Sequence, residues 1–276
     1  MTTIKQIVNG MPASDGAGVK LKRVLGQPLL KRLDPFLMLD EFGSEEAQDY
    51  IAGFPQHPHR GFQTVTYMLN GKMGHKDSVG NTGIIEDGGL QWMNAGKGII
   101  HEEMPQQTSG KMRGFQLWVN LPADQKMSMP GYQDIPSTEV PEVQLDNGNL
   151  VRVLAGEFDS VTGAVTTQAV KPLFLDVHLT ASGNQSIELS QDHNGFIYVY
   201  EGELTIAGKT LSKGQLGVLD IDGKLAVENN NENEARLIVV TGKPINEPVV
   251  QYGPFVMNTE AEINQALSDF RTGALA

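Results

Sequence analysis

The chain has 276 residues, with 21 Lys and Arg against 33 Asp and Glu, a formal net charge of −12, six His and no Cys. This length predicts two domains or one large one, and the lack of cysteine excludes disulfides, thiolate zinc sites and iron–sulfur clusters. The acidic balance argues against direct nucleic-acid binding, because affinity for phosphate backbones comes from clustered Lys and Arg. With no secretory signal and no membrane-spanning apolar run in the sequence, we expect a cytoplasmic protein without membrane contact.

Frequent glycine turns and period-two alternation predict many short strands. Glycine accounts for 31 residues. Residues 115–121 place their apolar side chains on one face and Gln116, Trp118 and Asn120 on the other, as a half-buried strand does. The other predicted strands are, in chain order, 61–69, 83–85, 150–154, 173–179, 195–200, 203–206, 217–219 and 236–240. Many short strands separated by glycine turns favour a sandwich or a barrel.

A connector divides the chain near its middle. Residues 121–143 contain four prolines among polar residues, a composition that prevents continuous strand ladders. We therefore predict a domain boundary near residue 140, with one domain over 1–140 and a second over 141–276.

One helix is predicted close to the C-terminus. Thr259 and Glu262 fit a capping box, and apolar residues follow at helical spacing before Gly273. The amphipathic pattern indicates a helix that covers the face of a sheet rather than one that binds a partner.

Two short motifs carry ligands suited to a metal ion. His57-Pro-His59 and His101-Glu-Glu103 each hold ligating side chains two positions apart, and alternate side chains of an extended segment share a face. Brought side by side, the two segments would present three imidazoles and one carboxylate to a first-row divalent ion, with positions left open for substrate or dioxygen. The alternative is that these histidines are exposed or are satisfied by protein partners, and that Pro58 marks a bend. His75, near a predicted turn, is a weaker candidate for ligation, for support of a ligand or for the surface.

Longer segments around these motifs resemble the pirin family of the cupin superfamily. They are 57–66 (HPHRGFQTVT), 75–78 (HKDS) and 90–105 (LQWMNAGKGIIHEEMP), with 34–43 (DPFLMLDEFG), 115–122 (FQLWVNLP) and 253–258 (GPFVMN). The resemblance implies an all-β bicupin: two antiparallel β-barrels, each a double-stranded β-helix, with a short C-terminal helix. It implies one metal site, in the N-terminal barrel, with the ligands His57, His59, His101 and Glu103. The second barrel contains His178 and His193, and we expect it to be metal-free, with Asp176-Val-His178 as a faint alternative site.

The resemblance also implies a reaction. Bacterial pirin-like proteins are similar to quercetin 2,3-dioxygenases, which cleave a flavonol with O2 and release CO. We therefore expect a flavonol-like aromatic substrate, O2, and Glu103 as both ligand and catalytic base. Fe(II) is the expected cofactor, with Zn, Ni, Cu, Mn and Co as alternatives, because imidazole-rich sites bind several divalent ions.

Two other functions stay open at this stage. One is a non-catalytic, iron-binding regulatory protein that acts as a redox-sensitive cofactor through contact with a protein partner. The other is an isomerase or sugar-binding cupin, since the fold alone does not decide the function.

Residues that neighbour the motifs are candidates for the pocket. The expected apolar slot consists of Phe54, Trp92, Met93, Met104 and Phe115, of which Trp92 and Phe115 have the barrel core as an alternative place. Arg60 is expected to orient Glu103 or a bound anion, or to pair with a surface carboxylate. Gln63 stands where a carboxylate is common in the family, and a neutral amide there would change the charge around the site.

Overall fold

The computed structural model describes residues 1–166 and 169–276. The first strands are β1 Thr3–Asn9, β2 Met11–Asp15, β3 Val19–Leu25, β4 Phe36–Ser44, β5 Phe54–His59, β6 Phe62–Asn70, β7 Met73–Asp77, β8 Thr82–Ile85, β9 Leu90–Asn94, β10 Ile99–Pro105, β11 Met112–Asn120, β12 Gly131–Ile135 and β13 Glu142–Gln144. The later strands are β14 Leu150–Ala155, β15 Glu157–Phe158, β16 Val161–Thr162, β17 Leu173–Leu179, β18 Asn184–Glu188, β19 Asn194–Glu201, β20 Glu203–Ile206, β21 Lys209–Ser212, β22 Gln215–Asp220, β23 Lys224–Glu228, β24 Ala235–Gly242, β25 Val250–Tyr252 and β26 Phe255–Met257. Helix α1 spans Glu260–Thr272, and short 3-10 helices lie at Ala47–Asp49 and Ser137–Glu139.

The chain divides into two compact units, each made of several segments. The first unit consists of Met1–Met11, Val24–Pro35 and Thr138–Pro244, and the second of Pro12–Arg23, Phe36–Ser137 and Ile245–Ala276. The sequence-based ranges 1–140 and 141–276 differ from these units at both ends of the chain. Strand β1 joins the first unit because it pairs along β22. Helix α1 joins the second because its apolar face packs against the β26 side chains.

The first unit is built on two antiparallel sheets with a shared core. The larger sheet has the order β1-β22-β19-β24-β17-β14-β13, and the smaller one β18-β23-β20-β21. Alternate residues of strands in both sheets, among them Val153, Leu175 and Val239 from the larger sheet and Leu204 and Val227 from the smaller, pack into one apolar cluster. Burial of this cluster is the main stabilising term of the unit.

The second unit repeats this plan. Its larger sheet has the order β12-β9-β6-β11-β4-β3-β2, and its smaller sheet β5-β10-β7-β8. Phe42 and Met68 of the larger sheet share a core with Met73 and Ile85 of the smaller one. The predicted all-β, cupin-type fold with a short C-terminal helix is confirmed, with each unit folded as a jelly roll of two sheets rather than as one closed barrel.

The predicted local elements agree with the structure, with one exception. The predicted strands fall within three residues of observed ones, and Thr259 caps α1 in a capping box with Glu262, before Gly273 in the left-handed conformation. The connector predicted over 121–143 contains strand β12, which the prediction missed because prolines 130 and 136 flank this strand rather than interrupt it. The described part of the chain contains no helix long and apolar enough to cross a bilayer.

Candidate metal centre

Strands β5 and β10 bring the candidate ligands together. They pair antiparallel, with His101 directly opposite His57 and Ile99 opposite His59. Residues that are directly opposite across a pair share a face, so the alternating His57 and His59 lie beside His101. The three ring centroids are separated by 4.4 Å (His57–His101), 4.7 Å (His57–His59) and 5.0 Å (His59–His101). Their ligating nitrogens all lie within 4.8 Å of one another, so the three histidines can hold a metal ion.

The hydrogen bonding of these rings fits a bound cation. His59 Nδ1 and both ring nitrogens of His101 are buried and have no hydrogen-bond partner among the described residues. His57 Nδ1 lies 2.8 Å from the Pro55 carbonyl oxygen, which can only accept, so Nδ1 donates and Nε2 keeps its lone pair. Buried polar atoms are normally paired, and nitrogen lone pairs directed at a common point satisfy a divalent ion.

The protonation of the buried imidazoles also suits ligation. Burial, followed by the neighbouring His101 and His57, lowers the pKa of His59 well below its usual 6.5, with a Pro254 backbone hydrogen bond acting in the opposite direction. Burial, followed by His57 and His75, does the same to the pKa of His101. Both rings are therefore neutral near pH 7, which is the form that binds metal.

Glu103 lies beside the cluster, with its carboxylate held by two neighbours. It is buried, and it is not one of the three residues of the close group. Its Oε1 lies 2.9 Å from Thr66 Oγ1, and its Oε2 accepts from Gln116 Nε2 at 3.0 Å. Thr66 Oγ1 also lies 2.7 Å from Gln116 Oε1, and since a hydroxyl has a single proton it donates to one of the two at a time. The carboxylate is thus fixed in orientation next to the histidines.

His75 belongs to a different set of contacts. It is opposite Glu103 in the pairing of β7 with β10, and it is buried. Its Nε2 lies 3.4 Å from Asp134 Oδ1, and its ring stacks on Tyr132 with a centroid separation of 5.3 Å. Gly83 makes room for it, since a Cβ at this position would collide with the imidazole. His75 is therefore a packed neighbour of the centre and is outside the three-histidine group.

A cavity of about 700 Å³ opens onto the candidate ligands. His57, His59 and Glu103 line it, together with the predicted Phe54. The rest of the apolar wall includes Leu21, Met38, Phe42, Trp118 and Pro254, and the polar wall includes Asp15, Arg23, Asp40, Gln56, Gln116 and Gln251. Among these, Trp118 packs edge-on against His59 with a centroid distance of 5.4 Å.

The other four residues of the predicted apolar slot lie elsewhere. Trp92, Met93 and Phe115 are buried and do not line this cavity, so the core alternative holds for Trp92 and Phe115. Met104 lines a separate recess of about 200 Å³. Gln63 Oε1 accepts from the Trp92 indole at 3.1 Å, so its amide serves a core tryptophan rather than a ligand.

The C-terminal segment of the second unit holds the residues that follow His59. Arg60 bonds through its backbone to Pro254 and Val256, and its guanidinium reaches Asp269 of α1 at 2.7 Å. Arg60 thus pairs with a carboxylate of the helix instead of orienting Glu103. The buried Lys126 donates to the carbonyls of Gly61 (2.7 Å) and Val256 (3.0 Å), and to Asn120. Sequence patterns gave no signal for these long-range contacts.

The two histidines of the first unit have protein partners. His178 Nε2 lies 3.2 Å from Asp176 Oδ2 and 3.2 Å from the Tyr200 hydroxyl, and His193 Nδ1 lies 3.1 Å from Thr241 Oγ1. Among the residues described, His57, His59 and His101 form the group of three or more potential ligands that meets at one point.

Family models account for most of the chain. One described as pirin matches residues 18–119, and one described as the pirin C-terminal cupin domain matches residues 174–276. The chain belongs to the pirin family. A Pseudomonas aeruginosa protein, named provisionally as a quercetin 2,3-dioxygenase, is 50% identical over 99% of this chain and 98% of its own. Human pirin is 41% identical over 94% of this chain and 88% of its own.

A solved structure extends the family likeness to the whole fold. The crystal structure of quercetin 2,3-dioxygenase from Acinetobacter baumannii matches 100% of this chain and 99% of its own, with a TM-score of 0.91 and 33% identity. The resemblance found in the sequence motifs is confirmed.

Proposed function

We propose that this pirin-family protein is a metal-dependent quercetin 2,3-dioxygenase, which cleaves a flavonol with O2 and releases CO. The observation that carries the proposal is the meeting of the three-histidine group with an aromatic-walled cavity, since His57, His59 and Glu103 line that cavity. The whole-chain similarity to a quercetin 2,3-dioxygenase supports the same reaction here.

Four side chains are the proposed ligands, and Fe(II) is the proposed ion. They are His57, His59, His101 and Glu103. A divalent ion bound there supplies Lewis acidity toward a phenolic oxygen and a path for an electron to dioxygen. The absence of cysteine from the whole sequence restricts the ligands to nitrogen and oxygen, which leaves Zn, Ni, Cu, Mn and Co as competitors for the site.

Glu103 is the proposed base for the flavonol hydroxyl. Thr66 and Gln116 hold one carboxylate oxygen each, which fixes the direction in which the carboxylate can accept a proton. Phe54 and Trp118 supply flat apolar walls for the aromatic rings.

The test combines metal analysis with quercetin assays in the presence and absence of O2. We expect iron-loaded protein to consume quercetin only aerobically and to release CO. Glu103→Gln should lower turnover more than metal content, because the amide can still coordinate through oxygen but cannot accept the proton. Glu102→Gln is the matched control, since Glu102 alternates to the other face of β10. Unchanged consumption by Glu103→Gln would rule out the base, and iron binding without any oxygen uptake would favour the regulatory alternative.

A further inference from the structure

A charged cluster forms part of the cavity wall. Arg23 donates to Asp40 through two bonds, Nε to Oδ1 at 2.9 Å and Nη2 to Oδ2 at 2.7 Å. Arg23 Nη2 also donates to Asp15 Oδ2 at 3.0 Å. All three residues line the same cavity as His57 and Glu103. We call them the Asp15–Arg23–Asp40 cluster.

The charges of this cluster do not cancel. One guanidinium faces two carboxylates, so the formal sum is −1. Asp40 is buried at 2% exposure, whereas the Asp15 side chain is 52% exposed. Breaking a buried, bidentate pair leaves an uncompensated charge, so Arg23 is not free to bind an incoming anion. The cavity wall therefore contains a guanidinium that is already paired, that of Arg23, and a carboxylate that is accessible to a ligand, that of Asp15.

The cluster shares a sheet face with Gln116, which is hydrogen-bonded to the proposed base Glu103. Asp40 lies directly opposite Gln116 in the pairing of β4 with β11, so their side chains are on the same face. Gln116 in turn donates to Glu103. An elongated ligand that reaches Glu103 with one end therefore runs past Gln116 toward the charged cluster.

We propose that the Asp15–Arg23–Asp40 cluster selects substrates by charge, so that the cavity takes uncharged aromatic molecules with hydroxyl donors and rejects aromatic anions. This inference rests on the proposed function, because it names the substrate class of the same cavity. A hydroxyl group distant from the ligands donates to the Asp15 carboxylate, whereas a fixed negative charge there meets a wall of the same sign. Because Asp15 is partly solvated, we expect discrimination of about tenfold rather than complete exclusion.

The test compares two flavonols that differ in one fixed charge. Quercetin and quercetin-5′-sulfonate are titrated by fluorescence into metal-loaded protein, without O2 and at low ionic strength. Quercetin should bind about tenfold more tightly, and Asp15→Asn should reduce this ratio to about threefold or less by raising affinity for the sulfonate. The control is Asp124→Asn, which changes an exposed carboxylate outside the cavity wall and should leave the ratio unchanged.

A smaller pair of probes separates this inference from the proposed function. Catechol and protocatechuate differ by one carboxylate, and the same preference for the neutral member is expected. The two proposals can fail separately. If the preference for neutral probes disappears in Asp15→Asn but the protein takes up no oxygen with quercetin, the charge selection stands and the proposed dioxygenase activity is wrong. Three results would overturn the charge selection. They are equal affinity for the neutral and the anionic probe of each pair, an equal change in affinity for both probes in Asp15→Asn, and no binding of any of the four probes.

Discussion

Arg60 Nη1 lies 2.7 Å from Asp269 Oδ2, which joins the residue after a proposed ligand, His59, to the C-terminal helix. Asp269→Asn should weaken metal binding by about tenfold, because supporting contacts around ligands commonly contribute that much to affinity. Chelator competition with Ni(II) or Zn(II) measures the change. Gln265→Ala is the control, since it removes the 2.7 Å hydrogen bond to the other carboxylate oxygen of Asp269 and leaves the ion pair. Equal losses in the two variants would show that the ion pair has no part in the effect.

The same pair predicts a dependence of stability on pH. The hydrogen bond from Arg60, followed by that from Gln265, lowers the pKa of Asp269 below its ordinary 3.8. The unfolded state binds more protons than the native state just below that pH, so the contribution of Asp269 is present above 3.8 and is lost as the pH falls through the native-state pKa. Urea unfolding should therefore show the difference between wild type and Asp269→Asn shrinking as the pH falls through and below 3.8. A difference independent of pH would contradict the pairing.

Because of Lys126, we expect the free energy of unfolding to change at alkaline pH. Burial lowers its pKa from 10.5 to about 8, and the side chain is 1% exposed. Between these values the unfolded chain carries a proton that the native chain has lost, so this group makes wild type more stable as the pH rises from about 8 to 10.5.

Lys126→Met isolates that contribution. The variant leaves the carbonyls of Gly61 and Val256 without their buried donor, at a cost of about 2 to 4 kcal/mol near pH 7. Its deficit relative to wild type should then grow above about pH 8, by up to about 1.4 kcal/mol for each pH unit. Denaturant unfolding of both proteins at a series of pH values gives the difference, and a deficit that shrinks with pH would mean that the native lysine keeps its proton.

The face shared by the histidines of the first motif could be predicted from the sequence because their spacing is local. His57 and His59 share a face on any extended segment, whatever the rest of the chain does. The alternation in residues 115–121 also assigned Trp118 and Gln116 to one face correctly, but it could not show that this face lines a cavity rather than the surface. That outcome depends on how β11 pairs with β4 and β6, strands distant in sequence.

The long-range supports of the site had no local signal. Whether Arg60 contacts Glu103 or a carboxylate elsewhere depends on the return of residues 245–276 to the second unit, which no motif encodes. The charged cluster has the same character, since Asp15, Arg23 and Asp40 come from three different strands. Periodicity reports the face on which a side chain lies, whereas the partner on that face is set by tertiary packing.

Gly61 follows strand β5, which carries His57 and His59, and it lies against strand β26. Its φ is +87°, and a Cβ would collide with the Val256 carbonyl oxygen, which is backbone and cannot easily move. Gly61→Ala should cost about 3 kcal/mol or more, from backbone strain together with this clash. Gly208 has a similar φ of +76° with nothing within 4 Å of an added Cβ, so Gly208→Ala should cost only about 1 to 2 kcal/mol. Thermal unfolding measures the loss of stability in both variants. Equal losses would show that the clash with Val256 does not contribute.

Gln116 is expected to act on turnover through the orientation of Glu103. Gln116→Leu removes the donor 3.0 Å from Glu103 Oε2 and keeps a side chain of similar length, so the carboxylate loses one of its two fixed directions. We expect kcat for quercetin to fall about tenfold or more. Gln56→Leu is the control, because Gln56 lines the same cavity and its substitution tests the added apolar surface alone. Metal content and quercetin KM are measured in both variants, since a role in positioning lowers kcat, whereas a role in binding alone raises KM. An increase in KM with kcat unchanged would show that Gln116 binds the substrate and does not position Glu103.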